Sequence, residues 1–330
     1  MVFSFPPTSD DYLTVMLILF FLVPFIVMMI ALPNLIPKLK KNGHFVRDMY
    51  KKTFPEVSAN GGLILLLFTM FSLAFLTLFY SKVIAPVNFA IIMVVVLFAF
   101  YGMLDDMVNI GRPAKLILLY YCAYPLIPFI TTSILHVPFF GGVDLSLIYL
   151  QIIVPTYVPV VANLVNMHSG FNGLAPGVSL ILLSTLLLKT FFFGYIFNAL
   201  FFVTLTGALL AYFWFENYPA RIFWGNIGAL SVGASIGALI VTQGFLVSGF
   251  IMLIPHTVNF LMYAYWRLNA RKYPPAKFGH EREDGTIEVP NPLTLKWVLP
   301  YYFRVTEKQG VYAMYGLTAL FCAIGFCVPG

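Results

Sequence analysis

The sequence predicts an all-α polytopic membrane protein with about ten transmembrane helices. Hydrophobic residues make up 60% of its 330 residues and charged residues only 10%, whereas a soluble domain carries about 25% charged residues. The mean hydropathy of +0.89 agrees with this composition. Apolar runs recur along the chain at about the 17–25 residues that cross a hydrocarbon core. We therefore expect residues 1–330 to form a single integral membrane domain in a lipid bilayer.

These apolar runs place the helices in order along the chain. They lie near residues 12–36, 60–80, 86–104, 115–134, 147–165, 174–190, 194–214, 227–243, 245–266 and 311–328. The first run is too long for a signal peptide and has no small-residue cleavage site, so we expect it to be retained. Ten spans would leave both termini on one side of the membrane.

Basic residues orient this topology. The loops on one face contain 17 of the 19 lysines and arginines, and only Lys82 and Lys189 fall on the other face. The positive-inside rule makes the basic face cytoplasmic. That face comprises the loops near 37–59, 105–115, 166–174, 215–226 and 267–310. The net charge of +6 is therefore mainly a topology signal, so no nucleic-acid partner is expected.

Asp105 and Asp106 form the first polar feature of note, at the end of a predicted helix. Acidic residues near lipid are costly, and they indicate function by default. Paired carboxylates suit a Mg²⁺ ion shared with phosphate oxygens, or a base acting on a phosphate nucleophile. A solvated helix end is the structural alternative. Lys115, nine residues after Asp106, either neutralises a diphosphate or extends its ammonium to the interface.

A second polar run separates two apolar segments and is rich in amides and glycines. It contains Asn163, Asn166, His168, Gly170, Asn172, Gly173 and Gly177. Amides provide both donors and acceptors, and glycine allows the backbone to approach a ligand closely. A simple loop cap would need only one asparagine. We therefore interpret this run as a site for a polar ligand, whereas His168 by itself indicates a buried polar contact more than a base.

Two further polar stretches lie on the same predicted face. Residues 216–228 end in Gly225-Asn226-x-Gly228, which opens the next helix. Such a helix N-terminus can bind an anion, although Asn226 could equally be a plain helix cap. The loop 267–310 carries Lys277, His280 and Arg282, whose alternating charges could also be a solvated surface. Together the four stretches predict an active-site cleft that faces the cytoplasm.

At these residues the chain resembles the polyprenyl-phosphate N-acetylhexosamine-1-phosphate transferases. That superfamily includes the bacterial phospho-MurNAc-pentapeptide translocase and the dolichyl-phosphate GlcNAc-1-phosphate transferase, and the match is to the second, eukaryotic- and archaeal-type branch. Four stretches, spanning roughly residues 40–310, occur in family order. They are Arg47 to Glu56 followed by Gly61-Gly62, Asp105-Asp106-x-x-Asn109 with Lys115, Asn163-x-x-Asn166-x-x-x-Gly170-x-Asn172-Gly173-Leu174, and Pro219-Ala-Arg-x-Phe-x-Gly225-Asn226.

The resemblance implies a reaction and its partners. GlcNAc-1-phosphate would pass from UDP-GlcNAc to a polyprenyl phosphate, typically dolichyl phosphate, with release of UMP. This would be the first step of lipid-linked oligosaccharide assembly for N-glycosylation. The implied cofactor is Mg²⁺, with Mn²⁺ as an alternative, and a homodimer is an open alternative to a monomer.

The resemblance also implies roles for matching residues. Asp105 and Asp106 would position or deprotonate the lipid phosphate, and Lys115 would stabilise phosphate charge. Asn166 and Asn226 would be metal ligands. The implied substrate-binding residues are Lys52, Glu56, Asn109, Asn172, Gly173, Lys277, His280 and Arg282. Among these, Asn109 would lie beside the acceptor phosphate, Asn172 would read the uracil amide, and Lys277 or Arg282 would hold the donor phosphates.

One departure from the family pattern bears on activity. The family usually has an aspartate where this chain has Asn226, and an amide supplies an oxygen ligand without charge. The change could be a branch feature or could disable the enzyme. The last loop also lacks the histidine-rich motif of bacterial members, and Lys277, His280 and Arg282 match the basic segment of the dolichol branch only loosely.

Other classes of protein remain as alternatives. A transporter would place polar sites near mid-membrane, whereas here they lie at helix ends. An aspartate-rich prenyl or CDP-alcohol transferase would need repeated aspartates around one site, whereas the other aspartate pair of this sequence, Asp10-Asp11, lies on the opposite predicted face. A family member that uses another UDP-N-acetylhexosamine is the third alternative.

Overall fold

The computed structural model describes residues 10–81, 84–108, 112–130, 133–137, 141–273 and 276–328. Helices dominate it, and short strand pairs occur only in connections. The helices are α1 (Asp10–Lys41), α2 (Gly61–Tyr80), α3 (Val87–Met107), α4 (Arg112–Cys122), α5 (Ser146–Ile148), α6 (Val154–Met167), α7 (Leu174–Phe193), α8 (Leu200–Glu216), α9 (Gly225–Gln243), α10 (Leu246–Met252), α11 (Ile254–Leu268), α12 (Leu295–Tyr302) and α13 (Glu307–Cys327). The strands are β1 (Phe45–Arg47), β2 (Glu56–Ser58), β3 (Ile134–Val137), β4 (Gly141–Asp144), β5 (His280–Glu281) and β6 (Ile287–Glu288).

The predicted all-α membrane architecture is confirmed, with two departures in individual spans. Within the described residues, eight helical segments are long and apolar enough to cross a bilayer, and α10 with α11 forms a ninth candidate that is bent by 63°. The run predicted at 115–134 contains only a shorter apolar helical segment, Ile117–Phe129. Pro125 and Pro128 explain its length, because proline lacks the N–H that continues an α-helix, and the chain here becomes a 3₁₀-helix.

Helix α9 occupies the centre of the bundle, and small residues allow its neighbours to pack close to it. An added Cβ on Gly233 would lie 2.7 Å from the Cα of Ala162 in α6, and one on Gly237 would lie 3.0 Å from the Cα of Val158. Close backbone approach at small residues is the usual way in which membrane helices associate. Helix α9 is thereby packed among α2, α3 and α6.

Two small strand pairs cover the end of the bundle where α9 begins. Strand β1 pairs antiparallel with β2, and Ser58 of β2 bridges to Ile222 just before α9. Strand β5 pairs antiparallel with β6 in the loop that follows α11. The third pair, β3 with β4, lies between α4 and α6. The loops that the sequence places on its basic face are thereby brought over the N-terminal end of α9.

Candidate active site

The last turn of α3 meets the first turn of α9 through a side-chain hydrogen bond. Asn226 donates from Nδ2 to Oδ1 of Asp106 over 2.7 Å. Gly225 enters the helix with a φ of 66°, in the left-handed region that favours glycine. Gly102 lies one turn earlier on α3, and a Cβ there would be 2.8 Å from the carbonyl oxygen of Asn226. Two residues that are 120 positions apart are therefore fixed side by side.

Asp105 turns away from this contact and forms an ion pair instead. Its Oδ2 lies 3.2 Å from the Nζ of Lys115, and both side chains are mostly sheltered from solvent. Adjacent helical residues point about 100° apart, which is why the two aspartates have different partners. The Lys115 ammonium also lies 5.6 Å from the ring centroid of Tyr101. Asn109, predicted to lie beside the acceptor phosphate, is outside the described residues.

A buried ionic network joins two loops to the start of α13. Lys51 forms a short ion pair with Glu307 and lies 3.6 Å from Asp48. The backbone N–H of Asn172 donates to Oε1 of Glu307 over 2.6 Å, and its side-chain amide donates to Oδ2 of Asp48 over 2.9 Å. The first loop, the asparagine run and the start of α13 are thereby locked together.

The Asn172 side chain, which is predicted to read the uracil amide, is held by hydrogen bonds within the protein. That side chain is buried, and its Oδ1 accepts from the backbone N–H of Ala220 over 2.9 Å. Both polar atoms of the amide are thus engaged within the protein. Gly173 has a φ of 75° at the start of α7, and its carbonyl accepts from the hydroxyl of Tyr315 over 2.6 Å. Asn172 and Gly173 therefore shape the turn that supports the cleft.

Glu216 anchors the segment that leads into α9. It is buried at the end of α8, and its Oε2 accepts from the hydroxyl of Tyr212 over 2.7 Å and from the backbone N–H of Trp224 over 3.0 Å. These bonds fix the position of Trp224 immediately before Gly225. The carboxylate thereby holds the turn that presents Asn226.

The first lobe of the cleft, which we call the polar lobe, has a volume of about 380 Å³. It brings together Asp106 from α3, Asn166 from α6 and Asn226 from α9, and Arg47 of the first loop also lines it. Asp48 and Glu216 also line it. Carboxylates, amides and one arginine around a single cavity suit a phosphate bound together with a divalent cation.

The second lobe, which we call the aromatic lobe, has a volume of about 530 Å³. Its walls are the C-terminal half of α11, the segment 276–278 and the start of α12. The aromatic and basic side chains that line it are Tyr263, Trp266, Arg267, Lys277, Phe278, Lys296 and Trp297. Ser169, Gly170, Lys277 and Phe278 line both lobes. The two lobes therefore adjoin along this shared boundary.

Four predicted substrate-binding residues do not line either lobe in this structure, and their roles stay predictions. Glu56 is exposed and pairs with Lys40 at 3.6 Å. Lys52 is also exposed, and its backbone N–H donates to Glu281 over 3.1 Å. His280 is an exposed residue of β5, in the hairpin above the cleft.

Arg282 is the fourth of these residues, and it stabilises the hairpin itself. Its guanidinium donates to the carbonyl of Ile287 over 3.1 Å and lies 3.4 Å from Glu288. It lines a shallow depression with Glu283, Asp284 and Arg304, away from Asp106. Lys277 alone of the three basic-segment residues lines the cleft.

Several buried or partly buried polar residues that build the site carry no distinguishing signal in the sequence. They are Asp48, Glu216, Lys296 and Glu307, whose burial cannot be recognised from motif spacing. His168 is buried against His256, with ring centroids 4.5 Å apart, and burial beside His256 and Lys296 lowers the pKa of His168. This environment keeps the imidazole neutral and away from the cleft surface.

The donor set of the polar lobe fits a magnesium ion that is shared with a diphosphate. Magnesium typically takes one or two protein carboxylates and completes its shell with phosphate and water oxygens. Asp106 supplies one carboxylate, and Asn166 and Asn226 supply amide oxygens that accept no hydrogen bond from any described residue. No three His, Cys, Asp or Glu side chains gather as a metal cluster in the described part of the chain. Any metal here would depend on the substrate phosphates for much of its coordination.

Sequence comparisons define the class of this protein. Residues 88–244, which include Asp105, Asp106, Asn166 and Asn226, match the family described as glycosyl transferase family 4. The chain belongs to this family, because one relative is 31% identical over 319 residues, covering 92% of this chain and 94% of the relative. The protein is therefore an integral membrane phosphotransferase.

The most informative relatives come from archaea and bacteria. The 31% identical protein, from Saccharolobus solfataricus, is provisionally named a UDP-N-acetylglucosamine–dolichyl-phosphate N-acetylglucosaminephosphotransferase. A protein of the same name from Sulfolobus acidocaldarius is 28% identical over 92% of this chain and 93% of its own length. A phospho-N-acetylmuramoyl-pentapeptide-transferase from Clostridium kluyveri is 33% identical over 66% of this chain and 73% of its own length.

Proposed function

We propose that this protein transfers GlcNAc-1-phosphate from UDP-GlcNAc to a polyprenyl phosphate, typically dolichyl phosphate, and releases UMP. The observation that carries the proposal is the contact of Asp106 with Asn226 at the head of α9, inside a cleft that also contains Asn166 and Lys277. The names of the two archaeal relatives support this donor and acceptor. The product would begin lipid-linked oligosaccharide assembly for N-glycosylation, and the basic loops support a cleft that faces the cytoplasm.

The reaction is a displacement at phosphorus. An oxygen of the acceptor phosphate forms a bond to the β-phosphorus of the donor, and the bond from that phosphorus to the bridging oxygen breaks. The electron pair of the broken bond leaves with UMP, so no covalent enzyme intermediate is needed. Catalysis of this kind depends mainly on positioning and on charge stabilisation.

The chain's own residues divide this work between them. Asp106, Asn166 and Asn226 would hold Mg²⁺, which when bound neutralises charge on the diphosphate. Lys277 reaches both lobes and would bind a donor phosphate. Asp105 fixes the Lys115 ammonium at 3.2 Å, so that this cation would stabilise phosphate charge near the end of α3.

The decisive experiment is an assay of UMP release by the purified protein in lipid nanodiscs. UDP-GlcNAc, dolichyl phosphate and Mg²⁺ should together give UMP and dolichyl-diphospho-GlcNAc, and omission of the lipid or addition of EDTA should abolish both. Parallel reactions with UDP-GalNAc and UDP-MurNAc-pentapeptide test the donor, the latter because of the Clostridium relative.

Other outcomes would revise the proposal in defined ways. A higher rate with UDP-MurNAc-pentapeptide would replace the proposed donor. Release of UMP by Asn226→Asp but not by the natural protein would show a correctly built but disabled site. Uptake of a solute into liposomes without UMP release would contradict the proposal and favour a transporter.

A further inference from the structure

Lys296 extends from the first turn of α12 to the boundary between the two lobes. Its Nζ lies 5.6 Å from the ring centroids of both Tyr50 and Phe171 and 6.0 Å from that of Trp297. It donates a hydrogen bond over 2.5 Å to the backbone carbonyl of Ser169, a residue that lines both lobes. The lysine itself lines the aromatic lobe. A cation is thus held where the two lobes meet.

The hydrogen bonds of Lys296 differ from those of the other sheltered lysines. An ammonium has three donors. The Lys189 ammonium donates hydrogen bonds to the backbone carbonyls of residues 325, 326 and 328. Lys51 forms ion pairs with two carboxylates, and Lys115 forms an ion pair with one. Among the described residues, the Lys296 ammonium has a hydrogen bond only to Ser169. It therefore retains donors for a molecule that enters the cleft.

The charges around the two lobes favour an anion at Lys296. The aromatic lobe has Arg267, Lys277 and Lys296 among its lining residues and no carboxylate. The polar lobe, in contrast, combines the acidic residues Asp48, Asp106 and Glu216 with the basic residues Arg47 and Lys277. The Glu307 carboxylate interacts electrostatically with Lys296, but it is already paired with Lys51. An anion without its own metal ion is thus favoured in the aromatic lobe.

The partly buried position of Lys296 is unfavourable for a charge that has a purely structural role. Burial lowers the pKa of Lys296 to about 8, because the surrounding rings replace water around the ammonium. A methionine of similar length would fill the same space without a charge. Gly170, in addition, has a φ of 112°, and any Cβ there would collide with the Lys296 ammonium. The shared boundary is thus shaped to leave room for a charged side chain.

We propose that Lys296 is a further substrate-contacting residue, whose ammonium binds an oxygen of a phosphate ester that lies in the aromatic lobe. This proposal rests on the proposed function, which supplies two molecules of that chemistry. One source is the diphosphate of the sugar nucleotide, and the other is the phosphate of the polyprenyl acceptor. Both carry the unesterified phosphate oxygens that a lysine ammonium recognises as a point charge.

The test measures binding of each substrate separately, by calorimetry at pH 7 in nanodiscs. UDP-GlcNAc with Mg²⁺ is one ligand, and dolichyl phosphate without metal is the other. The variants are Lys296→Met, which removes the charge at similar length, and Lys296→Arg, which keeps it. Lys272→Met is the matched control, because this exposed lysine also lies over an aromatic ring, at 5.3 Å, but lines neither lobe.

We expect Lys296→Met to weaken binding of one of the two substrates by roughly tenfold to a hundredfold, as for a lost hydrogen bond to a charged group. The substrate affected identifies the source of the phosphate. The other substrate and the Lys272→Met control should bind as in the natural protein. Unchanged binding of both substrates by a folded Lys296→Met protein would overturn the proposal. An equal loss for both substrates together with a lower melting temperature would also overturn it, since that pattern marks a structural residue.

A pH profile keeps the proposal testable even if Lys296→Met folds poorly. The titratable and charged groups around Lys296 come from several neighbouring elements, and they are Tyr50, His168, Tyr263, Arg267, Lys277 and Glu307. Burial raises the pKa of Tyr50 and lowers that of His168, so neither changes charge between pH 7 and 9. Affinity of the natural protein should fall over this range as Lys296 loses its proton, whereas Lys296→Arg should retain it. A flat profile in the natural protein would contradict the proposal.

These results separate the inference from the function on which it rests. A natural protein that binds both substrates and releases UMP, with Lys296→Met equally active, would refute only the role of Lys296. A natural protein that binds neither substrate would refute both proposals.

Discussion

Asn226 donates a 2.7 Å hydrogen bond to the carboxylate of Asp106, and this bond joins the two helices that frame the polar lobe. An amide beside a carboxylate is a stable pair without any cation. An aspartate in place of Asn226 would set two carboxylates against each other. The identity of residue 226 therefore controls how strongly the polar lobe depends on a metal ion.

Asn226→Asp is expected to increase the stabilisation of the protein by Mg²⁺. The new carboxylate repels Asp106 in EDTA and gains a charged ligand for the metal when Mg²⁺ is added. The melting temperature should fall by several degrees in EDTA and recover with millimolar Mg²⁺, by more than in the natural protein. The double variant Asp106→Asn with Asn226→Asp is the control, because it restores one carboxylate and one amide. Equal Mg²⁺ responses in all three proteins would contradict a metal site at this contact.

Asp105→Asn and Lys115→Met should each lower kcat by roughly a hundredfold, as for the loss of one charge-stabilising group. Both residues belong to one ion pair at 3.2 Å, so the double variant should lose little more than either single variant. UMP release under saturating substrates measures this, with size-exclusion profiles to confirm folding. Rates near those of the natural protein, or fully additive losses, would argue against a shared role.

Lys51→Met should destabilise the protein by roughly 3 kcal/mol or more, because it leaves Glu307 charged and unpaired in a buried position. Lys40→Met is the matched control, since Lys40 and Glu56 pair at the surface with both side chains more than 40% exposed. A surface pair of this kind contributes about 0–1 kcal/mol. The melting temperatures of the two variants show how much each ion pair stabilises the protein. Similar losses in both would show that the buried network contributes little.

Lys296→Met should stabilise the folded protein at pH 7 by roughly 1–3 kcal/mol, because it removes the cost of a buried charge. In the folded protein the pKa of Lys296 is about 8, below its ordinary value of 10.5. Between these values the unfolded chain binds more protons, so the natural protein should gain stability as pH rises through this window. The advantage of the variant should therefore shrink between pH 8 and 10. Melting temperatures across this range test it, with Lys272→Met as control, and a variant less stable than the natural protein at pH 7 would mark Lys296 as structural.

Much of the fold could be predicted because the bilayer imposes simple rules on sequence. The apolar runs that became α2, α3, α7 and α9 are long, continuous and free of interruption, and the structure places helices there. The structure of the segment at 115–134 was harder to predict. Its prolines end the α-helix but leave the segment as apolar as a membrane span. The bend between α10 and α11 likewise leaves no mark on hydropathy.

The sequence by itself determined that this is a polytopic membrane protein of a phosphotransferase family, since composition and four motifs in order suffice for that. It also singled out Asp106, Asn166, Asn226 and Lys277, which meet in the cleft. Only the tertiary structure decided that Asn172 is consumed by internal bonds, that Arg282 belongs to a hairpin, and that Lys296 faces the cleft. The physical reason is that a motif fixes which side chains are present, whereas burial and hydrogen-bond partners depend on how the rest of the chain packs around them.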